Sequence, residues 1–282
     1  MPVKVGKHKK GVGITVFTAL IALIFFFPVL MAVINSFKTR GEILASAIAL
    51  PSAPTLANYA AVIEATDFVK VFFNSCLVTG GGIVLNLLVS ALAGYALARW
   101  RSKWANILTL LFLSSMFVPF HTIMIALLTT ARDLKLTGHI WGLILIYCGL
   151  QCPIPIFLIK GFVHSVPREL EEAAYIDGCG TIRTFFRVML PNARTMMTTV
   201  FMFSFCWQYT DTDYSQLYYN ETKVFGNVIN TIYIRVGLSA ELTQSYICRN
   251  AACLLILIPL VAIFIFAQRG IVKSIAMSGM AN

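Results

Sequence analysis

Few residues in this chain of 282 have types that could make or break bonds. Its four histidines, His8, His121, His139 and His164, lie too far apart to form a local metal-ligand motif. The seven cysteines (Cys76, Cys148, Cys152, Cys179, Cys206, Cys248 and Cys253) include no C-x-x-C pair and sit mostly inside apolar runs, where they read as small packing residues. There is no G-x-x-x-x-G-K-[ST] phosphate loop, so ATP hydrolysis has no seat in this chain. We therefore expect no catalytic residue, metal or cofactor of its own. The remaining chemistry is recognition. Trp207, Gln208, Tyr209 and Asp211 combine aromatic faces with hydrogen-bonding groups, the pairing that holds sugars, and His121 and Gln151 add polar groups in or near apolar runs. A competing reading makes Trp207 and Tyr209 an interfacial belt and His121 a packing residue.

These side chains must be positioned by membrane helices. Hydrophobic residues make up 58% of the chain and charged residues only 12%, about half the share usual in soluble domains. The uncharged run from Val12 to Ile34 is long enough to cross roughly 30 Å of hydrocarbon, and it is too long for a signal-peptide core. We expect an all-α membrane protein, one transmembrane domain over residues 1–282 with six spans. The spans are placed near 12–34, 71–97, 105–128, 140–162, 196–215 and 250–268. The fifth is the most polar, which suits a helix facing protein or water. The net charge of +10 does not point to nucleic acid, because the basic residues gather in short segments between apolar runs. Most of them, including Lys4, Lys7, Lys9, Lys10, Arg99, Arg101, Lys103, Lys160 and Arg168, fall on the side that also holds both ends of the chain. The positive-inside rule therefore puts both termini in the cytoplasm. The first outer loop, about 35–70, reads as an ordered excursion.

The stretch 163–194 is too long and too patterned for a simple connection. Pro167 suits a first helical turn, Glu169, Glu171 and Glu172 lie at the positive end of its dipole, and Gly178 provides a left-handed stop. Leu170, Ala173, Ala174 and Asp177 share one expected face, small and only mildly apolar. A second short helix repeats the spacing with Ile182, Phe185, Phe186 and Met189, and Pro191 ends it. Two amphipathic helices joined at a glycine turn on the cytoplasmic side make a docking element.

Here the chain resembles a known family. Glu172-Ala173-Ala174, three residues, Gly178, nine residues and Val188-Met189-Leu190-Pro191 are similar to the EAA loop of ABC importer inner-membrane permease subunits, with Val188 in place of isoleucine. Ser36-Phe37-Lys38-Thr39, Pro54-Thr55-Leu56-Ala57-Asn58-Tyr59, Asn74-Ser75, Gly94-Tyr95-Ala96-Leu97-Ala98-Arg99 and Gln268-Arg269 resemble the carbohydrate-uptake branch, the six-span maltose-permease type. Trp207-Gln208-Tyr209-Thr210-Asp211 departs from the Trp-Asn-Asp-Phe common in that branch, which bears on sugar preference. The resemblance implies a type I ABC importer permease bundle in a prokaryotic cytoplasmic membrane. It implies a second permease subunit in a pseudo-twofold pair, two copies of a cytoplasmic ATPase carrying ATP and magnesium, an extracytoplasmic binding protein, and a carbohydrate as solute. It also implies that Glu171, Glu172, Ala173, Ala174, Asp177, Gly178, Leu190 and Pro191 serve ATPase coupling. Alternatives are a permease for glycerol phosphate or another polar metabolite, and, from other classes, a passive channel or a membrane scaffold.

Overall fold

The computed structural model describes residues 12–218, 224–226 and 242–279, and every regular element among them is helical. The basic residues Lys4, Lys7, Lys9 and Lys10 lie outside the described residues. In chain order the helices are α1 (Val12–Ser36), α2 (Arg40–Ala45), α3 (Ala57–Thr66), α4 (Phe68–Arg99), α5 (Lys103–Ser114), α6 (Phe120–Asp133) and α7 (Ile140–Gln151). They continue as α8 (Pro153–Ser165), α9 (Glu169–Ile176), α10 (Thr181–Thr184), α11 (Leu190–Asn192), α12 (Arg194–Tyr209), α13 (Asp213–Tyr218) and α14 (Leu242–Gly279). Gly13–Ser36, Phe68–Arg99 and Tyr246–Phe266 are single helices long and apolar enough to cross a membrane. Helices suit hydrocarbon because each satisfies its own backbone hydrogen bonds.

Two compact units form. One runs up to Ala65 and includes the stretch ending at Leu255; the other runs from Thr66 to Thr231 and resumes at Ile256. In the first unit the outer loop is ordered, as its prolines suggest. Asn58 Nδ2 donates to the carbonyls of Ser36 (2.8 Å) and Lys38 (3.0 Å), Tyr59 and Ser36 share a hydroxyl bond of 2.7 Å, and the Tyr59 ring meets Phe37. The two sequence stretches singled out around Ser36 and Asn58 are thus two halves of one knot. Lys38, almost wholly buried, donates to the Ser46 and Ala47 carbonyls just past α2, where a cation is favoured. Val62 packs with Cys248, Ala251 and Ala252 of α14.

The Glu42 carboxylate organises the loop's surface. It accepts from the Thr39 N–H (2.9 Å), from the N–H groups of Ser52 (2.7 Å) and Ala53 (3.1 Å), and from both adjacent hydroxyls. The Ser52 hydroxyl first, then the three N–H groups, hold its carboxyl well below the ordinary carboxylate range.

In the second unit α4 is the mast against which α7, α8 and α12 pack. Gly94 lets α8 come close: a Cβ there would press on Ile159 and on the Ile156 carbonyl. The third and fourth spans are not the single rods expected. Before Pro119 the chain is pushed out of the helical region (Val118 φ −82°, ψ 114°), and α5 with its terminal 3₁₀ turn meets α6 at 105°. Pro153 removes the N–H that would bond the Gly149 carbonyl, and α7 meets α8 at 54°. The Cys152 thiol donates to that freed carbonyl at 3.6 Å. The fifth expected span, 196–215, ends early at Tyr209. Its helix is about 24 Å long at 1.5 Å per residue, because Asp211 turns its carboxylate onto the N–H groups of Tyr214 (3.1 Å) and Ser215 (2.9 Å) and so starts α13.

Lys160, read from sequence as a cytoplasmic charge, is buried on α8. Its ammonium donates to Thr109 Oγ1 (2.8 Å) and Asn106 Oδ1 (3.0 Å) of α5. Two outcomes follow from these ties. Lys160→Ala should cost about 1–3 kcal/mol, the usual range for a broken buried polar tie, seen as a lower thermal midpoint in detergent. For Glu42, a depressed folded pKa means its contribution is full above the unfolded value near 4.5 and is lost as the pH falls through the folded value. Glu42→Gln should therefore speed limited proteolysis of residues 46–54 at neutral pH. The gap from the parent should begin to narrow below about pH 4.5.

Candidate functional site

Two places bring the sequence-predicted residues together: the loop 163–194 and a cleft at the helix breaks.

The loop begins where α8 ends at Ser165. Its first helix, α9, starts with three acidic residues in the first turn and stops at Gly178, whose φ of +79° is the left-handed value a Cβ resists. The expected face of Leu170, Ala173, Ala174 and Asp177 is not the face that packs. Glu171 and Ala174, three residues apart, turn inward and are buried, whereas Leu170, Glu172, Ala173, Ile176 and Asp177 are exposed. The cause lies on α4. Arg99 Nε donates to Glu171 Oε1 at 2.6 Å, and the Tyr95 hydroxyl donates to Oε2 at 3.0 Å. A charge pair sets the rotation of α9, overriding the weak apolar pattern.

The second amphipathic segment divides in the same way. Phe185 and Met189 are buried with Ala91, Tyr95 and Ala98 of α4 and with Ile159 and Val163 of α8, while Ile182 and Phe186 are exposed. Between α10 and α11 the helix widens into a π turn, Phe185–Met189, closed by the Leu190 N–H on the Phe185 carbonyl. Pro191 accounts for the widening, since it brings no N–H and its ring crowds the carbonyl four residues back. Leu190 is half-buried against this core and Pro191 is exposed. Of the eight residues expected to serve coupling, Glu172, Ala173, Asp177, Gly178 and Pro191 therefore face outward and Glu171 and Ala174 inward. Sequence reasoning missed Ile176, which is 86% exposed between Glu172 and Asp177 on the outward face.

The second place is a cleft of about 340 Å³ where the two broken helix pairs bend. Its walls include Ser115 and Phe120 from the first break, Gly149 and Gln151 from the second, Trp207 from α12 and Tyr214 from α13. Gln151 is buried, and its Oε1 has no hydrogen-bond partner among the described residues. Among the described residues the lining contains aromatic rings and neutral polar groups but no Lys, Arg, Asp or Glu. Irregular backbone at membrane depth is tolerated where it lines such a cavity.

Only Gln151 and Trp207 of the six solute candidates line this cleft. Gln208 is buried with its amide against Gly82 of α4, and Tyr209 donates its hydroxyl to the Ile256 carbonyl at 3.0 Å. Asp211 accepts from the Tyr147 hydroxyl at 2.7 Å in addition to capping α13. His121 is largely exposed, 4.0 Å from Asp213. Phe120 and Tyr214 were missed from sequence. The signal for them was Pro119 and Pro153, each interrupting an apolar run and so marking where backbone and side chains open toward a cavity.

Comparison with known proteins bears on both places. The family model described as "Binding-protein-dependent transport system inner membrane component" matches residues 86–277, a range that holds α9–α11 and the lining of the cleft. Two curated relatives align along nearly the whole chain. One is a "Probable starch degradation products transport system permease protein" of Thermoanaerobacterium thermosulfurigenes, 26% identical over 95% of this chain and 96% of its own. The other is a galactooligosaccharides transport system permease protein of Bacillus subtilis, 28% identical over 93% of this chain and 92% of its own. Among solved structures, a chain from a bacterial ABC transporter involved in the import of the acidic polysaccharide alginate matches with a TM-score of 0.76 at 17% identity. The match covers 90% of this chain and 94% of that one, so the fold is shared.

Proposed function

This chain belongs to the family of binding-protein-dependent transport system inner membrane components, and we propose that it is one of the two permease subunits of an ATP-driven oligosaccharide importer. The family is one of transport components rather than enzymes, so the chemical step that drives import falls to another chain. In this reading the protein is a multi-pass component of a prokaryotic cytoplasmic membrane with both termini in the cytoplasm. It forms half of the pore with a second permease, rests on two copies of an ATPase that holds ATP and magnesium, and receives its solute from an extracytoplasmic binding protein.

The observation that carries the proposal is the outward face of α9. On it Ile176 is 86% exposed, and Ile182 of α10 is 76% exposed, each well beyond the loop's other exposed large apolar side chains, Leu170, Tyr175 and Phe186. An exposed apolar residue flanked by Glu172 and Asp177, with small Ala173 beside it, fits insertion into a cleft of a partner protein. The carbohydrate assignment is supported by the relatives' names and by the cleft's chemistry. Aromatic rings suit hydroxyl-bearing neutral solutes, and among the described residues the lining holds no cation of the kind that favours a phosphate.

Two experiments test this reading. Ile176→Glu lies on an exposed position, so the chain should still assemble with its partner permease but lose co-purification with the ATPase; an unchanged ATPase yield would overturn the docking assignment. Uptake into proteoliposomes holding the complete importer should be assayed with maltotriose, raffinose, galactotriose and glycerol 3-phosphate. We expect one oligosaccharide to be accumulated only with ATP, and Trp207→Ala with Gln151→Ala to reduce that uptake at least tenfold, about 1.4 kcal/mol of lost stabilisation. Uptake without ATP would mark a passive channel, and glycerol 3-phosphate uptake alone would discard the carbohydrate assignment.

A further inference from the structure

Glu171 and Glu172 are adjacent, yet only Glu172 is free to meet a partner protein. Both oxygens of the Glu171 carboxylate are taken up inside the chain, Oε1 by Arg99 and Oε2 by the Tyr95 hydroxyl. The Arg99 and Glu171 side chains are 14% and 8% exposed, with the second guanidinium contact at 2.5 Å. Arg99 also donates to the Val166 carbonyl at 3.2 Å, just past the end of α8. The Tyr95 ring lies 5.2 Å from that of Phe185 in the π turn. Two residues on the last turn of α4 therefore fasten the end of α8, the start of α9 and the following π turn.

What surrounds this fastening gives it a mechanical meaning. A groove of about 560 Å³ separates the last turns of α4 from α9 and α10, lined by Leu92, Ala96, Tyr175 and Ile182 among others. Along that groove α9 meets α4 through the Glu171 carboxylate and through Tyr175 against Tyr95, while the π turn packs Phe185 and Met189 on Ala91, Tyr95 and Ala98; among these ties the Arg99–Glu171 pair is the charged, directional one through which force on α9 can reach α4. α4 itself is suited to carry such force. It spans 32 residues without a proline, about 48 Å at 1.5 Å per residue. Near its other end Ser75 accepts the Phe225 N–H at 2.9 Å, and in its middle Gly82 seats Gln208.

We propose that the Arg99–Glu171 pair, with Tyr95, is the pin through which the docking loop moves α4, so that displacement of α9 is delivered to the far end of that helix. This rests on the docking role given to α9 above. The pin is a positioning device: a partner protein touches Glu172 and Ile176, while Glu171 passes the motion on.

The test needs no known solute. The importer is purified with its own ATPase and partner permease, with and without trapping by ADP–vanadate, and hydrogen exchange is followed by mass spectrometry. In the parent, trapping should change exchange both in residues 163–194 and in residues 68–80 at the far end of α4. In Glu171→Gln and in Arg99→Met, the change in the loop should persist and the change at 68–80 should be lost, with the ATPase still co-purifying. Arg99→Lys, which keeps a cation, should restore part of it. A change at 68–80 that survives both variants overturns the pin, as does its absence from the parent. Loss of the ATPase from both variants also overturns it, because the pair then maintains the docking surface instead of transmitting from it. Failure of the docking role itself reads differently: the parent would show no trapping-dependent change in 163–194, and Ile176→Glu would keep its ATPase.

Discussion

A backbone surrounded by hydrocarbon has no water to satisfy its polar groups, and that constraint shapes most of this protein. It makes every described regular element a helix, and it gives each proline inside a span a consequence beyond its own residue. Pro28 and Pro259 sit inside α1 and α14, which continue through them. Pro119 and Pro153 instead separate helices, and the backbone they release is gathered around one cleft. The Gly149 carbonyl orphaned by Pro153 takes the Cys152 thiol, while Gln151 beside it keeps an amide oxygen without a partner among the described residues. The two breaks are therefore better understood as parts of a cavity than as defects in spans.

The same logic governs charges. Lys160, Lys38, Arg99 and Glu171 are each buried or nearly so, and each is met by two or more polar groups. Removing an ion from water is costly unless it is paired and bonded, so these residues stay buried where that requirement is met. Arg99 gains further from its place as the last residue of α4, where the helix dipole favours a cation. Exposed charge, by contrast, collects on the outward side of α9.

Composition made the all-helical membrane character legible, and motif spacing made the short helices on either side of Gly178 legible. Gly178 stops α9 where a left-handed stop was expected, and the loop after the first span is ordered around the very residues its two motifs contain. Rotation within the short helices was not legible. Leu170, Ala173, Ala174 and Asp177 form a fair amphipathic stripe, but eight residues of weak hydrophobicity do not outweigh one buried ion pair with a residue 72 positions earlier in the chain. The solute candidates fared likewise: Trp207 and Gln208 are neighbours in sequence but about 100° apart on a helix, so one lines the cleft and the other packs against Gly82.

That angular separation also bears on the two roles proposed for one short motif. Successive helical residues diverge by about 100°, so once Glu171 is turned inward its neighbour Glu172 can point outward, as it does here. The inward carboxylate, Glu171, meets a cation and a phenol fixed on a long helix; the outward one, Glu172, is exposed on the same face as Ile176. A docking helix held only by apolar contacts could slide or roll when its partner moved, since such contacts are non-directional. A carboxylate held at both oxygens resists rolling, because rotation of α9 stretches directional bonds made by side chains that are only 14% and 8% exposed. The small side chains of Ala173 and Ala174 then allow close approach on both sides, with Ala173 exposed and Ala174 buried toward the bundle. Under the proposed docking role, the motif puts recognition on the exposed face of α9 and attachment on its buried face, within two helical turns.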